Sequence, residues 1–354
     1  MHILFLINSI TKTCGISSHV YSLICGLKKY PLIDITVICG YADEEWIQQL
    51  NSQHIDIIIN HCFDHNKRTY INFSAAALFL FAYCLTNKVD IIHSHHHYCG
   101  NIAYYITKVI RIKTFLTNHG IIPPIGRLSH YKTDILIVPT ERIKNHIIKC
   151  NKIHESKVFI INNGVTRIRS CTTETPKIKI ISASRMIKLK ALDIYIKAVA
   201  LLGKEYLEKA EFYLAGEGPE KEKLLELISN SHTQLHYIGN ILHFNAELCR
   251  YNIYIHTSTL EAFPMTLLEA GMSRTLVIVS NFEGLNEYFS ENIDGLVFEM
   301  NNVSDLSEKI KFAIDHYEGL RCMRDQYYDK VCRYYTYDRM SQQTVKLYRN
   351  IMNV

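Results

Sequence analysis

The 354-residue chain has no C-x-x-C pair and no Asp-x-Asp. It also has no uninterrupted apolar run of the ~20 residues that a bilayer span needs. Each absence excludes something. Eleven cysteines, odd in number and scattered, lack metal-ligand or redox spacing and read as free thiols in a reducing compartment. The longest apolar run, Phe73–Leu85, is too short to span and predicts a buried helix. Met1–Ile7 is apolar but has no basic flank and is cut short by Asn8, Ser9 and Lys12, so no signal peptide and a cytoplasmic location are expected. Without Asp-x-Asp, a metal held on that motif is disfavoured. The run of His93, His95, His96 and His97 has no carboxylate or cysteine to complete a ligand set, so no metal is expected. No dense basic helix or aromatic RNP-type strand occurs, which argues against nucleic acid as a partner.

The chain is 48% hydrophobic and 21% charged, as globular proteins are, and suits two domains of ordinary size. Its net charge of +5 is uneven. Residues 1–166 carry 16 Lys and Arg against 10 Asp and Glu, together with 13 of the 18 histidines. Such a bias suits an anionic acceptor or peripheral attachment to an anionic membrane, although diffuse surface charge would read the same way. Short apolar segments alternate with amphipathic ones from His2 to Ile161. After the polar stretch Arg167–Pro176, a linker by composition, the alternation restarts at Lys177. Two α/β domains with parallel sheets follow from that pattern, over 1–166 and 167–330, with a helical tail over 331–354.

The chemistry-bearing positions fall at predicted strand ends. Gly15 opens the first helix, where a glycine lets the backbone approach a phosphate. His119 follows the predicted strand Lys113–Leu116, and Asn162-Asn163-Gly164-Val165 makes a tight turn. Arg185 and Lys190 follow the first strand of the second half, and two cations there can take the charge of a diphosphate. Gly216-Glu217-Gly218-Pro219 is a turn with Lys221 where a dinucleotide fingerprint needs a third glycine. Tyr237-Ile238-Gly239 ends another predicted strand. In Thr257–Arg274, Glu261 closes a loop and Pro264 fits a first helical turn. The helix start at Phe263, Pro264, Met265 and Thr266 offers free N–H groups to a phosphate, and Glu269 lies two turns in. From spacing alone, an acidic cap and a solvated helix carboxylate are equally good readings of the two glutamates.

Taken together, these segments resemble the retaining, GT-B-fold glycosyltransferases of family 4. Glu261 and Glu269 match the family's E-x7-E motif, and Arg185 and Lys190 its G-R-x4-K-G signature, with Ser184 and Ala191 in place of the glycines. Gly15 matches the second of two usual glycines, Cys14 replacing the first, and Glu283–Glu287 resembles the G-G-x-P-E loop. The resemblance implies two Rossmann-like domains facing across a cleft, the last helix crossing back to the first. It implies transfer of a sugar from a nucleotide-diphosphate donor, most commonly a UDP-sugar, to a glycan or glycolipid hydroxyl with retention. No cofactor or metal is implied, and surface polysaccharide or glycolipid synthesis at the inner membrane face is the usual setting. By the same resemblance Arg185 and Lys190 would meet the diphosphate and Glu261 the donor sugar. Glu269 would hold the ribose, His119 would position sugar or acceptor, and Ile238 to Leu242 would line the base. Gly216 belongs to the donor side. A sugar-nucleotide epimerase or phosphorylase on the same fold, a silent nucleotide-sugar binding module and, more remotely, a nicotinamide oxidoreductase are the alternatives.

Overall fold

A computed structural model describes residues 1–11, 15–120, 131–167, 177–231, 233–241 and 244–353. Cys14, Leu242 and most of the expected linker lie outside the described residues. The chain forms two compact units, Met1–Gly164 with Tyr337–Val354, and Val165–Thr336.

The first unit contains strands β1 (His2–Ile10), β2 (Asp34–Ala42), β3 (Asp56–Ile59), β4 (Ile91–Ser94), β5 (Lys113–Thr117), β6 (Ile135–Val138) and β7 (Val158–Ile160). Its helices are α1 (Gly15–Leu27), α2 (Glu44–Ser52), α3 (Tyr70–Asn87), α4 (His97–Ile110) and α5 (Glu141–Asn151). The strands run parallel in the order 3-2-1-4-5-6-7. Their near-continuous apolar sequences follow from burial on both faces.

The second unit repeats the plan with β8 (Ile178–Ala183), β9 (Ala210–Ala215), β10 (Leu235–Tyr237), β11 (Ile253–His256), β12 (Leu276–Ser280) and β13 (Leu296–Phe298). Its order, 10-9-8-11-12-13, is again parallel. The helices here are α6 (Leu192–Ala200), α7 (Lys204–Lys209), α8 (Lys221–Asn230), α9 (Phe244–Glu247), α10 (Met265–Met272), α11 (Val303–Asp315) and α12 (Arg321–Tyr334). The chain reverses its direction of growth between β1 and β4, and again between β8 and β11. At such a switch point the loops splay apart beyond the strands' carboxyl ends and leave a crevice for ligands.

The last helix, α13 (Tyr337–Met352), belongs to the first unit, where Met340, Val345, Leu347 and Tyr348 join the core. It lies against α1 closely enough that a Cβ at Gly26 would come within 2.4 Å of Ser341 Oγ, and Lys29 pairs with Asp338 at 2.6 Å.

One expectation changes. Phe73–Leu85 is helical, but of all α3 only Ala76, Leu80 and Cys84 are buried, because one stripe suffices to cover α4 and the turn at His61–Phe63. Eight of the described cysteines are free thiols, as expected.

Candidate active site

The second unit's switch point carries most of the singled-out residues. The loop after β8 holds Arg185 and Lys190, and the loop after β11 holds Glu261. Thr257 Oγ1 donates to the Lys190 carbonyl at 2.7 Å and the Thr259 N–H to the Leu189 carbonyl at 2.9 Å, tying the two loops together. Lys190 Nζ then donates to Glu261 Oε1 in an ion pair whose side chains are only 16% and 11% exposed. His256, the last residue of β11, places Nε2 3.1 Å from the same carboxylate oxygen and Nδ1 3.1 Å from the Tyr254 hydroxyl. Burial lowers the His256 pKa against the pull of Glu261, so the ring is neutral. A carboxylate only accepts, so Nε2 bears the proton and Nδ1 accepts from Tyr254. Burial alone would raise the Glu261 pKa. The Lys190 charge, followed by the bonds from His256 and Lys190, overrides it and holds the carboxyl well below the usual range.

Arg185 is exposed and has no carboxylate partner among the described residues. Pro264 stands at the N-cap of α10 with no capping side chain, so the first-turn N–H groups from Met265 and Thr266 are without a side-chain acceptor. The helix thus begins one residue after Pro264. Phe263 is a core residue, its ring 4.4 Å from that of Tyr288 and 5.5 Å from that of Tyr335. Glu269 is buried on α10, and burial raises its pKa to about 7. Burial raises the pKa of Tyr254, a hydrogen bond with Thr266 opposes the rise, and the charges of both glutamates add to it last.

Gly216 and Gly218 support this arrangement rather than merely flanking it. Gly216 has φ +134°, and a Cβ there would fall 1.9 Å from the Ser184 carbonyl oxygen. Gly218 has φ +154°, with a Cβ 2.5 Å from the Met186 carbonyl oxygen. Backbone bonds from Ser184 N to Ala215 O (3.2 Å) and from Met186 N to Glu217 O (2.8 Å) close the contact on both sides of Arg185. Ala191, standing where the resembling family has glycine, takes the left-handed conformation at φ 45°. Ile238 is part-exposed just beyond β10, and Gly216 N–H donates to the Gly239 carbonyl at 2.8 Å. Gly216→Ala should therefore cost more than ~3 kcal/mol, since neither the backbone angle nor the space admits a methyl. A fall in the thermal midpoint of many degrees is expected, and wild-type stability in that variant would refute this packing.

In the first unit, a Cβ at Gly15 would meet nothing within 4 Å, so the start of α1 faces open space. His119 follows β5 in a cavity of about 300 Å³ lined also by His95, His96, His97, Asn118 and Tyr131. His93 is not part of that lining. It is fully buried and bonds Thr117 Oγ1 (2.7 Å) and the Tyr348 hydroxyl, which fastens α13 to the sheet. His19 on α1, which local spacing did not single out, joins His95 and His119 so that three ring nitrogens lie within 4.8 Å of one another. His65, His96 and His97 form a second such group. Among the described residues these sets could hold a metal ion; the histidine run supplies His95 to the first and His96 and His97 to the second, but no local spacing announces His19 or His65 as their partners. Burial keeps the rings neutral: it lowers His19 to about 4 against a hydrogen bond with Asn163, and together with neighbouring imidazoles it lowers His96 to about 3 and His95 and His119 well below the usual value.

A doubly wound parallel sheet order found twice, with Arg185, Lys190 and Glu261 on the loops at one switch point, defines a two-domain α/β protein with a polar site beyond its strand ends. Comparison narrows the class. Residues 13–168 match the profile of Glycosyltransferase Family 4, and residues 167–329 that of Glycosyl transferases group 1. The chain belongs to this glycosyltransferase family. A glycosyltransferase from Rickettsia africae ESF-5 superposes with a TM-score of 0.81 at 20% identity, covering 99% of this chain and 98% of that one. Anabaena HepE, solved with UDP-glucose, gives 0.82 at 15% identity over 98% and 99%. The fold is GT-B. Among curated relatives, the phosphatidylinositol N-acetylglucosaminyltransferase GPI3 subunit of Saccharomyces cerevisiae is 22% identical over 75% of this chain. The chain spans 64% of that relative's length. A human phosphatidylinositol N-acetylglucosaminyltransferase polypeptide is 24% identical over 95% of this chain and 73% of its own length.

Proposed function

We propose that the protein transfers a sugar from a nucleoside-diphosphate donor to a hydroxyl of a glycan or glycolipid, with retention at the anomeric carbon. The observation that carries this reading is the Lys190–Glu261–His256 cluster beside the exposed Arg185 at the second switch point. A departing diphosphate develops negative charge, and Arg185, Lys190 and the N–H groups at the start of α10 can absorb it without reorganising. Lys190 would serve both the phosphate and Glu261, and Glu261 would accept from hydroxyls of the donor sugar. Glu269 accepts from the ribose, and Ile238 lies beside the base. The N–H groups near Gly15 would help take the diphosphate charge, and His119 would position the sugar or the acceptor. A front-face departure, in which the diphosphate itself helps deprotonate the acceptor, needs no protein nucleophile.

The solved complexes of Anabaena HepE with UDP and with UDP-glucose support a UDP-sugar donor. The phosphatidylinositol N-acetylglucosaminyltransferases, by their names, support a lipid acceptor. Thermal unfolding with UDP, GDP, ADP, CMP or NAD, with and without EDTA, tests the donor site. One nucleoside diphosphate should raise the midpoint by several degrees and keep doing so with EDTA, because side-chain cations do the electrostatic work. Stabilisation by NAD alone, or by no nucleotide, would overturn the assignment. Product anomeric configuration, read by NMR, checks retention.

A further inference from the structure

Helix α3 shows an unusual outer face. Its eighteen residues include no charged side chain. The positions at helical spacing Ile71, Ala75, Leu78, Ala82 and Leu85 are all exposed, with Ile71 79%, Leu78 72% and Leu85 60% accessible, and Tyr70 beside them is 89% accessible. The opposite stripe, Ala76, Leu80 and Cys84, is held in the core with Phe63, Tyr98 and Ile102. Soluble surfaces rarely leave so continuous an apolar stripe uncovered. The neighbouring α4 extends it with the exposed Tyr105 and Val109.

Charge identifies what covers it. Lys67 and Arg68 stand just before α3, Lys88 caps its end in the left-handed conformation, and Lys108 and Arg111 sit at the end of α4; all are exposed. Over residues 64–134 eight Lys and Arg stand against three acids, Asp64, Asp90 and Asp134, and of the basic residues named above only Lys108 is ion-paired among the described residues, with Asp134 at 3.1 Å. An uncharged apolar stripe between basic ends complements a bilayer with anionic headgroups. A second copy of the chain fits poorly, since pairing α3 with its own counterpart would bring the basic ends of two copies together.

We propose that α3 is a membrane-docking helix that lies flat in the headgroup region of an anionic bilayer, with Ile71, Leu78 and Leu85 inserted and Lys67, Arg68 and Lys88 on the lipid phosphates. The helix is roughly 27 Å long and is long and apolar enough to cross a membrane. Its Leu80 stripe, however, is packed in the protein core, so it rests on the membrane rather than crossing it. The inference stands on the first unit alone and is independent of the donor-site reading.

Co-sedimentation of the whole chain with phosphatidylcholine vesicles, with and without phosphatidylglycerol, tests it. Binding is expected only with phosphatidylglycerol and should weaken at high salt. The Leu78→Glu/Leu85→Glu variant should lose binding by about tenfold or more, since two inserted side chains become charged. Lys67→Glu/Lys88→Glu, which alters no apolar contact, should lose the phosphatidylglycerol preference. Both variants should keep the wild-type melting midpoint and the shift with UDP, so a failed donor site and a failed docking face give separate readouts. Equal binding by wild type and both variants, or none by wild type, would overturn the proposal. So would a dimer in light scattering that the Leu78→Glu/Leu85→Glu change dissociates.

Discussion

Lys190→Ala should lower transfer by roughly 10²–10³-fold, the usual cost of removing one preorganised group at a developing anion. The same change leaves Glu261 buried with His256 as its neighbour and without the Lys190 charge, the largest opposing effect on that carboxyl. Stranding a buried charge costs about 3–5 kcal/mol, so the variant should also melt early. Combining Lys190→Ala with Glu261→Gln separates the two effects: the double variant should regain most of the stability and none of the turnover. Turnover restored in the double variant would mean that the pair is only structural. The pH dependence has a definite sign. Glu261's folded pKa lies below its unfolded value of 4.5, so its stabilisation is present above that value and is lost as pH falls below it. Denaturant titrations from neutral pH into acid should show this loss in wild type and less of it in Glu261→Gln.

Glu269→Gln has the opposite signature. Burial raises this carboxyl from 4.5 to about 7, so the folded protein holds the proton more tightly than the unfolded chain. The resulting stabilisation is full below the unfolded value of 4.5 and disappears as pH rises through about 7. At about 1.36 kcal/mol per unit this amounts to about 3 kcal/mol. The neutral isostere should remove that slope and make the ligand-free protein more stable than wild type at about pH 8. Donor binding should suffer, because ribose hydroxyls donate better to a carboxylate than to an amide; a loss of about ten- to a hundredfold is expected. In wild type, nucleotide affinity measured by calorimetry should rise between about pH 6 and 8 with proton release. A flat profile in wild type would remove Glu269 from the ribose role.

Much of this site was visible before folding. Arg185, Lys190 and Glu261 stand on loops just beyond strand ends that a period-of-two or wholly apolar pattern locates, with Glu269 in the helix that follows, and a parallel sheet delivers strand ends to its ligand face. His256 was also within reach: it terminates the apolar segment Ile253–His256, and a histidine at the carboxyl end of a strand beside a switch point is a signal worth reading. His19 was less accessible, since a position inside a helix carries no hint of neighbours on the loops after β4 and β5. The apolar composition of Phe73–Leu85 predicted a helix correctly but its burial wrongly. Composition records how much apolar surface a helix has, whereas the number of neighbours available to cover it is a property of the assembled unit.

By itself the sequence determined two parallel α/β units, the strand ends that carry cations and carboxylates, and the glycines at 216 and 218 that let two loops meet. These follow from short-range periodicity and backbone sterics. Only the tertiary structure decided that Lys190 neutralises Glu261 from 71 positions away, that Glu269 is shielded enough to titrate near neutrality, and that imidazoles from α1 and from the loops after β4 and β5 converge. Ion pairing and desolvation act through space. They depend on which side chains exclude water from one another, and that is settled when the sheets assemble.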